Sequence, residues 1–244
     1  MDILLSNDDG YKAKGIKILE KILMEYGSIT IAAPHKNVSA CSSSLTVHGK
    51  VEIKKINQKC YAIKGTVADS IHILTRGILK KKPDVIISGI NFGSNMGDDV
   101  IYSGTVAGAI EGRFYKYSPI AISIAKKNPK YIYDLKDKVE LFLPMIFNKL
   151  IKLKTIFNIN IPDMPFNKIK GIKITKLGKR NISKKAQINK INQKIYATIG
   201  AVGNSIPSNS YTDFNAVKHG YISITPLNID MSDYEIISKL KKYE

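Results

Sequence analysis

Close to the N-terminus the aliphatic run Ile3-Leu4-Leu5 stops at Ser6-Asn7-Asp8-Asp9-Gly10, and Ile16, Leu19, Ile22 and Leu23 then recur at helical spacing. A short unbroken apolar run bounded by polar residues and glycine reads as a strand covered on both faces. Ile29, Ile31 and Ala33 alternate and end at Pro34, which predicts a second strand. The same order repeats downstream. Val67 to Leu79 is helical through Ile71, Leu74 and Ile78. Val85-Ile86-Ile87 is a strand between Pro83-Asp84 and Gly89. Val106 to Phe114 is a helix of small residues, and Ile120 to Ile124 is a strand. Strand, helix, strand at these distances means right-handed crossovers, so residues 1–125 predict an α/β core with a mostly parallel sheet.

The remainder is patterned differently. Asp134 to Leu150 is amphipathic and predicts a helix, and Ile156 to Ile161 predicts a strand ending at Pro162. Residues 168–200 hold two alternating runs, Ile169-Ile172-Ile174 and Ile195-Ala197-Ile199, separated by the polar stretch Gly178 to Asn192. They predict a long hairpin arm rich in Lys and Asn. Such a ribbon is unstable alone and calls for a partner surface, another subunit being the simplest. Residues 212–244 predict a C-terminal strand, Gly220 to Leu227, and a terminal helix, Met231 to Lys242.

The length of 244 residues suits one α/β domain spanning 1–244, with the arm as an appendage. No apolar run approaches the roughly 18 residues that span a bilayer, which argues against a membrane protein. Asp2, Asp8 and Asp9 interrupt the opening residues, against a cleaved secretory signal. Two cysteines, Cys41 and Cys60, are too few for a disulfide scaffold and lack a metal-binding spacing, so a cytoplasmic setting is expected. The formal charge of +18 would suit a polyanionic partner. But only Arg76, Arg113 and Arg180 are arginines, the rest of the 38 basic residues being lysine. Bidentate base readout favours arginine, so nucleic acid is not expected as a specific partner.

In an open parallel sheet ligands bind beyond the carboxyl ends of the strands. Three polar loops follow predicted strands. Ser6-Asn7-Asp8-Asp9-Gly10 sets two carboxylates side by side, which either closes a simple turn or holds a cation. Pro34 to Thr46 carries Ser39, Ser42, Ser43 and Ser44, whose hydroxyls could bind a metal or a phosphate but taken alone read better as a solvated loop. Ser88 to Gly97 combines glycines with Asn91 and Asn95, and Tyr102-Ser103-Gly104-Thr105-Val106 then opens a helix whose free N–H groups suit phosphate. Ser103 could equally cap that helix. Carboxylate, amide and hydroxyl oxygens without a Cys or His cluster favour Mg²⁺ or Mn²⁺ over zinc. His35, His48, His72 and His219 are scattered, and each reads as structural or surface.

These segments resemble the SurE survival-protein family of metal-dependent 5'-nucleotidases. The resemblance is carried by ILLSNDDG, AAPHKNVSACSSSLT, GTVADS, PDVIISGINFGSNMGDDVIYSGTVAGAIEG, SPIAIS, NINIP and DFNAVKHGYISITPL, in that order. It implies a Rossmann-like three-layer core and a C-terminal arm exchanged between subunits of a homodimer or homotetramer. It implies one divalent cation per subunit held by Asp8, Asp9, Ser39 and Asn91, with Asn95, Ser103, Gly104 and Thr105 lining the phosphate site. Three departures stand out: Val67 where the pattern has Pro, Ala40 where it has Gly after Ser39, and Lys14 where it has Pro before Gly15. They touch loop rigidity and the nucleoside side, and none removes a metal ligand.

The implied reaction is hydrolysis of nucleoside 5'-monophosphates by a metal-activated water, with Asp8 or Asp9 as catalytic carboxylates. Broader phosphatase action on 3'-nucleotides and short polyphosphate is the alternative within the same chemistry. A non-enzymatic polyanion binder is the alternative outside it. A dinucleotide-dependent oxidoreductase is disfavoured, because no G-x-G-x-x-G opens the first helix.

Overall fold

The computed structural model describes residues 1–208 and 211–243. In chain order they form β1 (Asp2–Ser6), α1 (Lys14–Leu23), β2 (Ser28–Pro34), β3 (Ile53–Asn57), β4 (Cys60–Ile63), α2 (Val67–Ile73), β5 (Val85–Phe92), α3 (Gly104–Glu111), β6 (Ile120–Ile124), α4 (Leu135–Met145), β7 (Ile156–Ile161), β8 (Ile172–Ile174), β9 (Gln187–Ile191), β10 (Lys194–Thr198), α5 (Asp213–Lys218), β11 (Ile222–Leu227) and α6 (Tyr234–Leu240).

Nine of these strands form one sheet in the order β3-β4-β2-β1-β5-β6-β7-β11-β8. From β4 to β7 all neighbours are parallel, with β1 at the centre. Antiparallel pairing enters at β3 against β4 and at β11 against β7. Successive residues of β1 serve opposite layers. Ile3 and Leu5 pack with Ile16 and Leu19 of α1 and with Val139 and Phe142 of α4. Leu4 packs with Val67, Ile71 and Leu74 on the other face. Both faces are dry, which is why the strand reads as a continuous aliphatic run. Each such side chain contributes about 1.5–3 kcal/mol by leaving water.

The chain turns to β2 on one side of β1, whereas β5 lies on the other. The loops after β1 and β5 therefore diverge and leave a crevice at the carboxyl ends of these strands. The loops carrying Asp8, Asp9, Ser39, Asn91 and Ser103 open onto that crevice.

Three elements differ from the sequence expectation. The edge hairpin β3–β4 escaped notice because every residue of β3 is exposed and lysine-rich, leaving no alternation to read. The six residues of α5 are too few for a helical period. The third difference is the arm. The run at 169–174 does not pair with 195–199; β8 joins the main sheet, parallel to β11. The ribbon is built instead from residues 179–206. Arg180 bridges Ser205, the Asn181 and Lys184 N–H groups donate to Asn204 and Ala201, and Gln187 pairs with Thr198, all in one unbroken antiparallel register. Its tip is the two-residue turn Asn192-Gln193, with φ 47° and 63°. Positive φ at both positions is what a type I′ hairpin turn requires. The C-terminal strand and helix expected in 212–244 are β11 and α6; residue 244 lies outside the described residues.

Candidate metal and phosphate site

At the end of β1, the Asn7 side-chain oxygen accepts the Gly10 N–H at 3.1 Å. Asn7 thus closes the turn, and Asp8 and Asp9 are released from that task. The turn reading and the ligand reading of this motif are compatible, because different residues serve each.

Asp8 is buried, and its Oδ1 accepts the Thr105 hydroxyl at 2.7 Å. Burial pushes its carboxyl above the usual range. Asp9 is pushed up to about 6, first by burial and then by the charge of Asp8, with the Phe92 backbone N–H pulling weakly the other way. Among the described residues neither carboxylate has a salt-bridge partner. Two adjacent desolvated acids without a countercharge fit a cation. No group of three or more His, Cys, Asp or Glu side chains suited to a metal occurs among the described residues. The remaining donors here are neutral oxygens, which suits a hard divalent ion.

Asp8, Asp9, Ser39, Asn91, Asn95, Ser103 and Gly104 all line one cleft of about 720 Å³. Asn37 ties two of these together. Its amide N–H donates to Asp9 Oδ1 at 2.8 Å, and its side-chain oxygen accepts the Ser39 N–H at 3.0 Å. The loop carrying Ser39 is anchored further on by buried Asp69, which accepts the Thr46 N–H and hydroxyl, each at 2.7 Å, and caps α2. Asn91 donates its side-chain N–H to the Gly93 carbonyl at 2.8 Å, so its oxygen is the atom available to a cation.

Asn95 is held from three sides. Its N–H donates to Asn160 Oδ1, its carbonyl accepts from both Asn158 and Asn160, and its side-chain amide donates to Ser123. Ser103 caps α3, accepting the Val106 N–H at 3.0 Å. Gly104 is forced to be glycine by proximity, since a Cβ there would lie 2.9 Å from Asp8 Cβ. This close approach brings the positive end of α3 against Asp8. Thr105 is fully buried; its hydroxyl faces Asp8, and the cleft wall beside it is Ser103 and Gly104.

Several residues at the cleft were not expected from the sequence: Asn37, Lys126, Lys127 and, from the root of the arm, Arg180. Arg180 forms an ion pair with Asp99 and stacks over the Phe214 ring at 4.6 Å. A polar residue in a loop carries no periodic signal that would single it out. None of the four histidines lines the cleft. His35 lies against Tyr11 outside it, and His219 Nδ1 sits 2.8 Å from the Asn215 carbonyl within its own helix.

A sequence model of the family described as survival protein SurE matches residues 3–184. The 5'-nucleotidase SurE of Histophilus somni (strain 2336) is 42% identical over 245 residues, covering 100% of this chain and 98% of its own. The 5'-nucleotidase SurE of Mannheimia succiniciproducens is 41% identical over 246 residues with the same coverage. Among solved structures, the SurE protein from Aquifex aeolicus superposes with a TM-score of 0.85 at 36% identity, over 99% of this chain and 98% of that one. Family model, full-length relatives and solved structure agree, and the chain belongs to the SurE family.

Proposed function

We propose that this protein is a 5'-nucleotidase that hydrolyses nucleoside 5'-monophosphates with one divalent cation, Mg²⁺ or Mn²⁺, per subunit. The observation that carries the reading is the pair Asp8 and Asp9, raised in pKa, without a countercharge, and set against the N-terminus of α3. The names of the relatives support the same activity.

In this reading Asp8, Asp9, Ser39 and Asn91 hold the cation. When bound, the cation supplies charge neutralisation for the phosphoryl oxygens and lowers the pKa of the attacking water. Thr105 fixes the orientation of Asp8 by its hydrogen bond. Asn95, Ser103 and the backbone of Gly104 would receive the phosphate, where helix N–H groups and partial positive charge stabilise the charge that builds up on phosphorus oxygens; buried Thr105 serves the site through Asp8 and not by touching the phosphate. Asp9, held by the Asn37 amide, would be placed to orient the attacking water.

We also assign the arm to contacts with a second copy of the chain, in a homodimer or homotetramer. Its register puts Ile182, Ala186, Ile188, Ile195, Ala197, Ile199 and Ala201 on one face, all of them exposed in the single chain. Exposed apolar side chains along one face of a free-standing two-stranded ribbon call for cover, with Lys190 beside Ile195 on the same face. No described helix is long and apolar enough to cross a membrane. Two unpaired cysteines, Cys41 and Cys60, favour a reducing cytoplasm.

The test is phosphate release from a panel of nucleoside 5'- and 3'-monophosphates and short polyphosphate, with EDTA and then with Mg²⁺ or Mn²⁺ restored. Release abolished by EDTA and restored by metal is the expected result. A folded protein that releases no phosphate with either metal refutes the assignment.

A further inference from the structure

The motif beginning at Asp213 contributes no residue to the cleft wall, yet Asp213 is fully buried at the junction of the cleft and the arm. Its Oδ2 accepts the Gly97 N–H at 2.7 Å. Its Oδ1 accepts the N–H groups of Gly178, at 2.9 Å, and Phe214, at 2.8 Å. Gly97 ends the loop that carries Asn95 and starts the turn that leads into Ser103. Gly178 stands at the root of the arm, two residues before Arg180. One carboxylate therefore joins the phosphate-side loop to the arm.

The packing around it has no slack. A Cβ at Gly97 would lie 2.4 Å from Phe214 Cε2, and one at Gly178 would lie 2.4 Å from Phe214 Cδ2. The Phe214 ring is thus wedged against both glycines, and the Arg180 guanidinium covers it. A shift of the arm root presses on the ring and reaches Gly97 through ring and carboxylate together.

We infer that Asp213 is a positioning residue for hydrolysis: it holds the loop of Asn95 in register with the arm root, so that seating of the arm sets the geometry of the phosphate site. The inference rests on the site and arm readings proposed above.

The chemistry of the contact selects the variant. In Asp213→Asn the amide has one oxygen, and the side with two donors, Gly178 and Phe214, claims it. The new NH₂ then faces the Gly97 N–H, donor against donor. The substitution cuts the link to the cleft and leaves the link to the arm.

Amide hydrogen exchange and steady-state kinetics of the full chain test this. In Asp213→Asn, exchange across residues 93–97 is expected to rise while the ribbon at 184–201 keeps its protection and the oligomer keeps its mass. The loss is expected in kcat, roughly tenfold to a hundredfold, as for reacting groups displaced by about an ångström, with KM little changed. Gly178→Ala, which touches no substrate, is expected to move both readouts in the same direction. Unchanged exchange at 93–97 overturns the inference, and so does faster exchange with wild-type kcat. A melting temperature that falls while the folded fraction keeps wild-type kinetics also overturns it, as a merely structural role. If Asp213→Asn does not fold, Gly178→Ala decides on the same two readouts. Exchange is read without substrate, so a wild-type chain that releases no phosphate sinks the function reading and leaves the exchange result to judge the hold of Asp213 on the loop.

Discussion

The Thr105 hydroxyl donates to Asp8 Oδ1 across 2.7 Å, joining the loop after β1 to the first turn of α3. The two residues are 97 positions apart in sequence. Their bond sets a carboxylate against a helix N-terminus, so the proposed cation and phosphate positions would share one wall of the cleft. Thr105→Val keeps the shape and removes the donor. Hydrogen bonds to charged groups contribute about 1.5–3 kcal/mol, so the variant should lose stability on that order. Chemical denaturation measures the loss. Titration should show weaker metal affinity, because Asp8 loses the group that orients it.

Asp8→Asn and Asp9→Asn should each lower turnover by about 10²-fold or more, the scale seen when a charge-stabilising group is removed. Neither should unfold the metal-free protein, since each replaces a desolvated acid that has no countercharge with a neutral isostere, whose remaining oxygen can still accept the Thr105 or Asn37 hydrogen bond. Phosphate release and thermal melting, measured on the same preparations, separate the two effects. Turnover of both variants at the wild-type level would refute the ligand assignment.

Asp9 makes the metal-free protein sensitive to pH in a definite direction. Its folded pKa, about 6, lies above the ordinary 3.8. The folded state therefore binds more protons than the unfolded state between those values, and the contribution to stability falls as pH rises. It is fully present below about pH 3.8 and gone above about pH 6. In EDTA, the melting temperature of wild type relative to Asp9→Asn should drop across that window. Metal must displace the proton, so apparent metal affinity should weaken below about pH 6. Added Mg²⁺ or Mn²⁺ at neutral pH should raise the wild-type melting temperature and leave Asp9→Asn much less affected.

Ile188 and Ile195 lie on the same face of the ribbon. Replacing both with Asp should break the assembly without touching the nine-stranded sheet, because neither packs against it. Light scattering should report a mass near that of one chain, 27.1 kDa. A mass equal to the wild-type oligomer would show that the apolar face has no part in assembly.

Local patterning was enough to find the core, since β1, β5 and β6 are dry on both faces and their aliphatic runs say so. The grouping of the polar loops was legible for a similar reason. Loops that follow such strands must converge at one edge, so Asp8, Asp9, Asn91 and Ser103 could be grouped before any coordinates. The ribbon could be read as an arm, but its pairing could not. Ile169, Ile172 and Ile174 alternate as well as Ile195, Ala197 and Ile199 do, and only the type I′ turn at Asn192-Gln193 selects the register.

What the sequence determined by itself was the alternation of strands and helices and the oxygen-donor types in the loops that follow the strands, because both follow from side-chain type and spacing along the chain. What only the tertiary structure decided was how those side chains are held. Asn37, Asn158, Asn160 and Asp213 are polar residues in loops, strands or short helices, without a period of their own. The partners that tie them to the cleft loops, Asp9, Asn95 and Gly97, lie 28 to 116 positions away. The raised pKa of Asp9 is likewise a property of place, since burial and the charge of Asp8 arise only once the sheet has closed around the loop.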